Sequence, residues 1–269
     1  MKNIIIAGVC GNDPRFSLES FMPEAESAFV ICKGYGKRHE FETDRSPRGL
    51  FSEIAVGTDY HITMRETLSA LDDELRKLYG EGYKSKIHVD AGPLPERLMA
   101  ATAGLGYIGK NGCLITEKFG SLCNIGCLVT NIKIKNSARY ASADECENCE
   151  LCVAACPGGA LNNSFDKNKC ISCLTQTKRP LTEEEKRLIG ISLYGCDICQ
   201  NVCPKNKGKH VDVITDIDAI MPPLEFILNM TDDEYEKHYA GSSIYWRGLE
   251  ILKRNAAIAL NNIRKKGEA

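Results

Sequence analysis

The sequence lacks a membrane span, an export signal and a large net charge. No stretch approaches the length of about 18 consecutive apolar residues that a membrane span needs, although 43% of the 269 residues are hydrophobic. The apolar run Ile4–Val9 has a single lysine before it and Asp13-Pro14-Arg15 soon after it, which is too short for an export signal. The net charge of −2 offers no general attraction to nucleic acid. We therefore expect a globular protein of the reducing cytoplasm.

Cysteine is the residue that this sequence has in excess. Nine of its 14 cysteines lie in one block between Cys146 and Cys203. The block begins with Cys146-x2-Cys149-x2-Cys152-x3-Cys156-Pro157 and ends with Cys196-x2-Cys199-x3-Cys203-Pro204, with Cys170 and Cys173 in between. The first run has the spacing of bacterial ferredoxins, in which three thiolates bind one [4Fe–4S] cluster and the fourth binds its neighbour. The block therefore predicts two [4Fe–4S] clusters.

The number of thiolates agrees with this prediction, because two clusters need eight and the block supplies nine. In such proteins the last cysteine of each run binds the cluster of the other run. If Cys146, Cys149 and Cys152 bind the first cluster, its fourth ligand is therefore Cys203. Cys173 is then left over, and the roles of Cys113, Cys123 and Cys127 stay open as well. The second cluster takes the remaining four cysteines, Cys156, Cys170, Cys196 and Cys199.

Two other uses of cysteine compete with the clusters. A structural zinc site suits any Cys-x2-Cys pair. Zinc does not explain three closely spaced cysteines together with an x3-Cys-Pro ending that occurs twice. A disulfide framework fits least well, because the chain is long and carries no secretory signal.

The part before the cysteine block has the pattern of an α/β domain. Residues 3–9 and 28–33 indicate buried strands, and apolar residues at helical spacing predict a helix over residues 61–79 that Gly80 ends. A strand over residues 86–90 precedes a helix that Pro95 opens. Asp90 therefore lies at the carboxyl end of a strand, the edge at which open α/β sheets bind their ligands.

Later segments add strands and helices. The glycine-rich residues 104–110 lack the Walker spacing, so a nucleotide site there is not expected, and strands are predicted over residues 113–116 and 122–134. Thr182 and Glu185 form a capping-box pattern for a short helix, and an amphipathic helix is predicted over residues 248–266.

These patterns divide the chain into an α/β domain over residues 1–139, a double-cluster domain over 140–212 and a helical segment over 213–269. A simple electron carrier has no need of so long an N-terminal part. That part should hold whatever accepts the electrons, which is a second cofactor, a substrate or both.

Five segments taken together resemble the epoxyqueuosine reductase family, in order along the chain from about Pro23 to Asn261: Ile54–His61, Val89–Arg97, Ala103–Asn111, Cys170–Ser172 and Tyr194–Gln200. The resemblance implies an α+β or α/β fold, with a nitroreductase-like domain that binds cobalamin and a ferredoxin-like double [4Fe–4S] domain. It also implies a relationship to the reductive dehalogenases. The implied reaction reduces the epoxide of epoxyqueuosine to the alkene of queuosine at the wobble position of tRNA.

The resemblance implies roles for single residues as well. Asp90 matches the family's proposed proton donor, since loss of the epoxide oxygen needs a proton and a carboxyl buried beside cobalamin stays protonated near neutrality. The alternative is that Asp90 caps the following helix. His61 is interpreted as a structural or supporting polar group, because the family leaves cobalt without a protein histidine. Besides Asp90, cobalamin contacts are implied at Ser52, Leu114, Ile125, Ser172 and Asp197.

The sequence also departs from the family. Family members usually carry further C-terminal helical repeats that help to hold tRNA. Cys173 occupies a position where the family generally has tyrosine, and Ser121–Gly126 replaces a more aromatic segment. A related reductive elimination on another substrate therefore stays open, as does an electron-transfer protein that reduces or reactivates a partner's corrinoid. The expected partners are an external donor of the ferredoxin or flavodoxin type and tRNA, with no membrane.

Overall fold

The structure is a computed structural model. The residues that it describes are 4–38, 41, 46–90, 92–135, 146, 148–209 and 211–267. The chain divides into two compact units, and each is built from three separate stretches. The first unit consists of Met1–Tyr35, Tyr60–Cys149 and Pro204–Val211. The second unit consists of Gly36–Asp59, Glu150–Cys203 and Asp212–Ala269.

The described residues form short strands and mostly short helices. The strands are β1 (Ile5–Cys10), β2 (Ser27–Gly34), β3 (Lys37–Arg38), β4 (Leu50–Phe51), β5 (Ser85–His88), β6 (Tyr107–Ile108), β7 (Leu114–Ile115), β8 (Cys123–Thr130), β9 (Ser192–Tyr194) and β10 (Val213–Ile214). The helices are α1 (Tyr60–Tyr79), α2 (Glu96–Thr102), α3 (Leu151–Ala155), α4 (Ile171–Gln176), α5 (Glu183–Leu188), α6 (Ile198–Asn201), α7 (Ile217–Ile220), α8 (Leu224–Asn229), α9 (Asp232–Tyr239) and α10 (Leu249–Gly267).

The first unit is organised around a four-stranded sheet with the order β1-β2-β8-β5, in which all neighbouring strands run antiparallel. Successive residues of a strand point to opposite faces, and both faces of this sheet are covered. Val30 and Cys127 pack with α2 on one face, whereas Ile31 and Leu128 pack with α1 on the other. Gly126 has no side chain, which lets α1 approach the middle of β8 closely. The result is a sheet between two helices.

The second unit has one main core, formed around the parallel pair β4 and β9 and the long helix α10. Asn255 of α10 is fully buried and ties three elements together. Its side-chain amide donates hydrogen bonds to the carbonyl oxygens of Thr175 at 2.7 Å and Leu193 at 2.8 Å. A polar side chain with two buried partners fixes α10 against α4 and β9.

The structure corrects several expectations about local elements. The sheet of the first unit is antiparallel, so the rule about the carboxyl edge of parallel sheets does not apply to Asp90, although Asp90 does follow an edge strand. The strand predicted over residues 122–134 ends at Thr130, where the chain turns. The division at residues 139, 140 and 212 stays a prediction, and its first boundary lies outside the described residues.

Candidate functional site

The four cysteines predicted for the second cluster all belong to the second unit. Cys156 ends α3, Cys170 precedes α4, Cys196 follows β9 and Cys199 lies in α6, which packs against α3. All four are of intermediate burial. Very short helices are not stable alone and do little to fix the thiols at their ends. A bound cluster would fix these thiols, so the arrangement is consistent with cluster binding.

The electrostatics of this group suit a cationic metal cluster. The pKa of the Cys196 thiol is raised to about 11, mainly by burial and in addition by the nearby charges of Asp197, Cys170 and Cys156. The pKa of Cys170 is lowered to about 6, mainly because the Cys173 thiol donates a hydrogen bond to it, with the N–H groups of Cys173 and Ser172 assisting. The N–H of Ala160 donates to Cys156 Sγ at 3.3 Å. Thiolates that repel one another in a partly buried site fit an iron–sulfur cluster.

A single zinc ion and a four-iron cluster need different arrangements of thiolates. Among the described residues, no three Cys, His, Asp or Glu side chains converge so that they could hold one metal ion. A four-iron cluster separates its thiolates more widely than one tetrahedral ion does. For the first cluster, Cys146 and Cys149 belong to the first unit, whereas Cys152 and Cys203 belong to the second. The assignment of these four ligands stays a prediction.

Asp90 lies on the turn between β5 and α2 in the first unit. Its backbone has φ +58°, a left-handed conformation that aspartate tolerates better than most residues. Its side chain is 59% exposed, and Oδ2 lies 3.4 Å from Nε2 of His61. The residue that caps α2 is Pro95, so the interpretation of Asp90 as the cap is wrong. Burial of the Asp90 carboxyl beside cobalamin stays a prediction.

A second acid stands behind Asp90, and sequence reasoning did not single it out. The backbone N–H of Asp90 donates a hydrogen bond to Glu96 Oε1 at 2.6 Å. Glu96 is largely buried, which raises the pKa of its carboxyl to about 7, and the charge of Asp90 acts in the same direction. His88 is buried 3.5 Å from the same oxygen, and burial lowers its pKa. The only sequence signal was the glutamate at the start of the proline-opened helix.

In the second unit, Ser52 and Asp197 meet although they lie far apart in the sequence. Ser52 Oγ donates to Asp197 Oδ1 at 2.8 Å, and the N–H of Glu53 donates to Oδ2 at 2.7 Å. Burial raises the pKa of Asp197, while these two hydrogen bonds act in the opposite direction. Gly195 makes the contact possible, since any Cβ there would overlap Ser52 and its φ is +77°. The predicted cobalamin contacts Ser52 and Asp197 therefore form one fixed polar group.

The other implied cobalamin contacts have less distinctive surroundings. Leu114 of β7 is buried in the core beneath α2, and Ile125 of β8 packs against the same core. Their side chains are used for packing, which leaves their backbones for any cofactor contact. Ser172 lies in α4, and its carbonyl oxygen accepts hydrogen bonds from Thr175 Oγ1 and Gln176 Nε2 at 3.0 and 3.1 Å.

Cysteines outside the block are mainly part of the first unit's core. Cys10, Cys32 and Cys127 are fully buried. Burial raises the pKa of the Cys127 thiol, and a hydrogen bond with Cys123 raises that of Cys32. Neutral buried thiols are poor metal ligands, so these residues act as small apolar side chains.

Two family models match this chain. One, described as a 4Fe-4S double cluster binding domain, matches residues 145–206. The other, described as epoxyqueuosine reductase QueG, DUF1730, matches residues 15–91, a segment that includes Asp90. Together with the cysteine spacing, these matches define the class of the protein. It is an iron–sulfur oxidoreductase with a domain for two [4Fe–4S] clusters, as the cysteine spacing predicts.

Relatives identify the family within this class. The epoxyqueuosine reductase of Bacillus subtilis (strain 168) is 36% identical over 261 residues, which are 94% of this chain and 67% of the relative. A crystal structure of epoxyqueuosine reductase with an epoxyqueuosine-modified tRNA-Tyr stem loop matches with a TM-score of 0.84 and 34% identity, covering 91% of this chain and 66% of that one. The chain belongs to the epoxyqueuosine reductase family.

Two further structures extend the comparison. A Bacillus subtilis epoxyqueuosine reductase whose catalytic aspartate loop is swung out of the active site has a TM-score of 0.85 at 31% identity, covering 97% of this chain and 77% of that one. A catabolic reductive dehalogenase has a TM-score of 0.52 at 15% identity, which shows a shared fold alone. The expected fold class and the two [4Fe–4S] clusters are confirmed, whereas cobalamin stays a prediction.

The chain spans about two thirds of the length of the first curated relatives that it matches. Within the part of the chain that the structure describes, no helix combines the length and the apolar character that crossing a membrane would need.

Proposed function

We propose that this chain reduces the epoxide of epoxyqueuosine in tRNA to the alkene of queuosine, in the reducing cytoplasm. The observation that carries the proposal is the presence in one chain of the epoxyqueuosine reductase match over residues 15–91 and the double-cluster match over residues 145–206. The solved relative that holds an epoxyqueuosine-modified tRNA stem loop supports tRNA as the substrate.

The overall reaction consumes two electrons and two protons, and the epoxide oxygen leaves as water. An external electron donor of the ferredoxin or flavodoxin type supplies the electrons through the clusters. Cobalamin, when bound, would supply a low-valent cobalt as the reductant of the epoxide carbon. What the chain itself must supply is a scaffold for these groups and a proton for the oxygen as the C–O bond breaks.

Asp90 is the proposed proton donor. Its carboxyl is exposed on a turn rather than tied into a helix cap, and His61 at 3.4 Å orients it. The hydrogen bond from its N–H to the buried Glu96 fixes the backbone of the turn. A solved relative has its catalytic aspartate on a loop that can leave the active site, which agrees with a proton donor carried on a turn.

Several residues are proposed to contact cobalamin. Ser52 and Asp197 offer a fixed hydroxyl and carboxyl, because each is held by hydrogen bonds within the second unit. Asp90 would face the reacting part of the substrate. The remaining proposed contacts, several of them through the backbone, are Leu114, Ile125 and Ser172.

Replacing Asp90 tests the proposal. We expect Asp90→Asn, in enzyme reconstituted anaerobically with iron, sulfide and cobalamin, to lower the turnover of epoxyqueuosine-containing tRNA at least about 100-fold, since general acid catalysis contributes 10²–10⁴-fold. About eight irons, one cobalt and dithionite reduction of the clusters should be retained. Asp73→Asn, at an exposed position of α1, is the matched control and should keep full turnover.

Two results would contradict this proposal. Normal turnover by Asp90→Asn would remove Asp90 from its role. A wild-type protein that binds about eight irons but no cobalt would instead be an electron-transfer protein that serves a partner's corrinoid.

A further inference from the structure

Four lysines surround one cavity of the first unit. The cavity has a volume of about 1030 Å³, and its lining includes Lys118, Lys205, Lys207 and Lys209, here called the four-lysine surface. Lys118, Lys205 and Lys207 are exposed, and Lys209 is partly so. Glu117 is the one acidic residue among the described residues of the lining. This surface is strongly positive on a chain whose net charge is −2.

The four-lysine surface is held in place by a buried asparagine. The side-chain amide of Asn206 donates to Ser121 Oγ at 2.9 Å, and the N–H of Ser121 donates to Asn206 Oδ1 at 2.7 Å. Gly120 leaves room for this contact, because a Cβ there would overlap Asn206. Lys209 Nζ donates to the carbonyl oxygen of Glu117 at 2.6 Å. The lysines therefore project from a segment with a defined position.

The covalent chain places this charge beside a predicted cluster ligand. Lys205 is two residues after Cys203, and two extended residues span at most about 7 Å. Electron transfer between proteins slows steeply with distance, so a donor must dock close to a cluster. A positive surface next to a cluster ligand is suited to a negatively charged donor.

We propose that the four-lysine surface is the docking site for an acidic electron-donor protein. The inference rests on the proposed function, which needs an external donor. At each encounter the donor loses one electron and one cluster is reduced from [4Fe–4S]²⁺ to [4Fe–4S]⁺. Two encounters supply the electrons for one epoxide.

The same positive charge would also attract the phosphates of tRNA, but two observations favour the donor protein. The cavity includes Ile6 of β1, whereas Asp90 follows β5 at the opposite edge of the sheet. Three strand spacings separate these edges by about 14 Å. Tyr107, the one aromatic residue among the described lining, is buried and offers no face for stacking a base.

The test measures reduction of the reconstituted enzyme by reduced flavodoxin, an acidic flavin protein. We expect Lys205→Gln/Lys207→Gln to lower the rate of cluster reduction by flavodoxin about tenfold at low salt and to flatten its salt dependence. Dithionite should still reduce the variant at the wild-type rate. Affinity for oxidised flavodoxin should fall in parallel, while affinity for the tRNA stem loop should stay within twofold of wild type.

Matched variants separate charge from folding. Lys205→Arg/Lys207→Arg keeps the charge and should restore the flavodoxin rate, and Lys237→Gln/Lys265→Gln removes two exposed lysines of the second unit without effect. The docking proposal is overturned if the flavodoxin rate is unchanged, or if only tRNA affinity falls. Turnover of epoxyqueuosine tRNA with dithionite tests the proposed function independently, because it needs no donor protein.

Discussion

At the scale of single residues, the proposed proton donor is one of a pair of acids with opposite surroundings. Asp90 is exposed, whereas Glu96 behind it is largely buried and accepts the N–H of Asp90. A carboxyl whose pKa is near 7 is half ionised at neutral pH. The backbone of the turn that carries Asp90 is therefore held by a group whose charge changes in the physiological range.

The raised pKa of Glu96 predicts how stability depends on pH. The native state holds this proton up to about pH 7, whereas the unfolded chain releases it near the ordinary value of 4.5. The stabilisation is thus complete below pH 4.5 and is lost as the pH rises to about 7, a change on the order of 3 kcal/mol. We expect Glu96→Gln to unfold at a temperature that falls less than that of wild type between pH 5 and pH 8.

Glutamine suits this test because its carbonyl oxygen can still accept the N–H of Asp90. Glu66→Gln, at an exposed position of α1, should follow the wild-type curve. Parallel thermal unfolding curves for Glu96→Gln and wild type would show that Glu96 is not the titrating group.

The sequence singles out Asp90 as a candidate but not the residues that contact it. Family motifs identify a residue by its neighbours in the chain, and Asp90 has a distinctive neighbourhood. Glu96 becomes its partner through the turn at Asp90, where φ is +58° and the backbone N–H donates to the Glu96 carboxyl. A local sequence pattern does not specify such a turn for a residue other than glycine.

At the scale of elements, the parallel pair β4 and β9 brings Ser52 to Asp197. We expect Gly195→Ala to destabilise the protein by about 3 kcal/mol or more, because the new methyl group overlaps Ser52 in addition to straining a backbone at φ +77°. Gly190→Ala is the matched control, since its φ is +58° and nothing lies within 4 Å of the added methyl group. It should cost about 1 kcal/mol.

Chemical denaturation of both variants measures this difference, and equal losses would mean that Ser52 moves aside freely. If Ser52 and Asp197 hold cobalamin, Gly195→Ala should also bind less cobalt than Gly190→Ala.

Elements with local signals were predicted well. The apolar spacing and terminal glycine of α1, the capping box of α5 and the amphipathic pattern of α10 all correspond to observed helices. The order and direction of the strands were not predictable, because they depend on pairing between distant segments. Thr231 and Glu234 make a second capping box at the start of α9, a local signal of the same kind.

At the scale of the whole molecule, the clusters should contribute to folding as well as to electron transfer. The helices that carry the thiols have only five residues in α3 and four in α6, too few to be stable alone. We expect Cys196→Ala to reduce the iron content from about eight to about four and to lower the unfolding temperature by several degrees. Cys173→Ser removes the leftover cysteine and should keep about eight irons.

Iron analysis and anaerobic thermal unfolding of the two variants measure these effects. If Cys173→Ser lost iron while Cys196→Ala kept about eight irons, Cys173 would be the cluster ligand and Cys196 the cysteine that is left over. Cys170 and Cys173 are hydrogen-bonded to each other in the structure. Spacing alone therefore decides poorly which of the two is the cluster ligand and which is left over.

Each unit is built from separate stretches of the chain, so a unit can fold completely only after its last stretch has been synthesised. The second unit needs its first, middle and last stretches together, because β4 pairs with β9 and α10 packs on both. During synthesis, all nine cysteines of the block emerge before α10 exists to complete their scaffold. The nascent chain thus passes through a period in which its thiols are open to oxidation and to competing metals, and the cell must load or protect them in that interval.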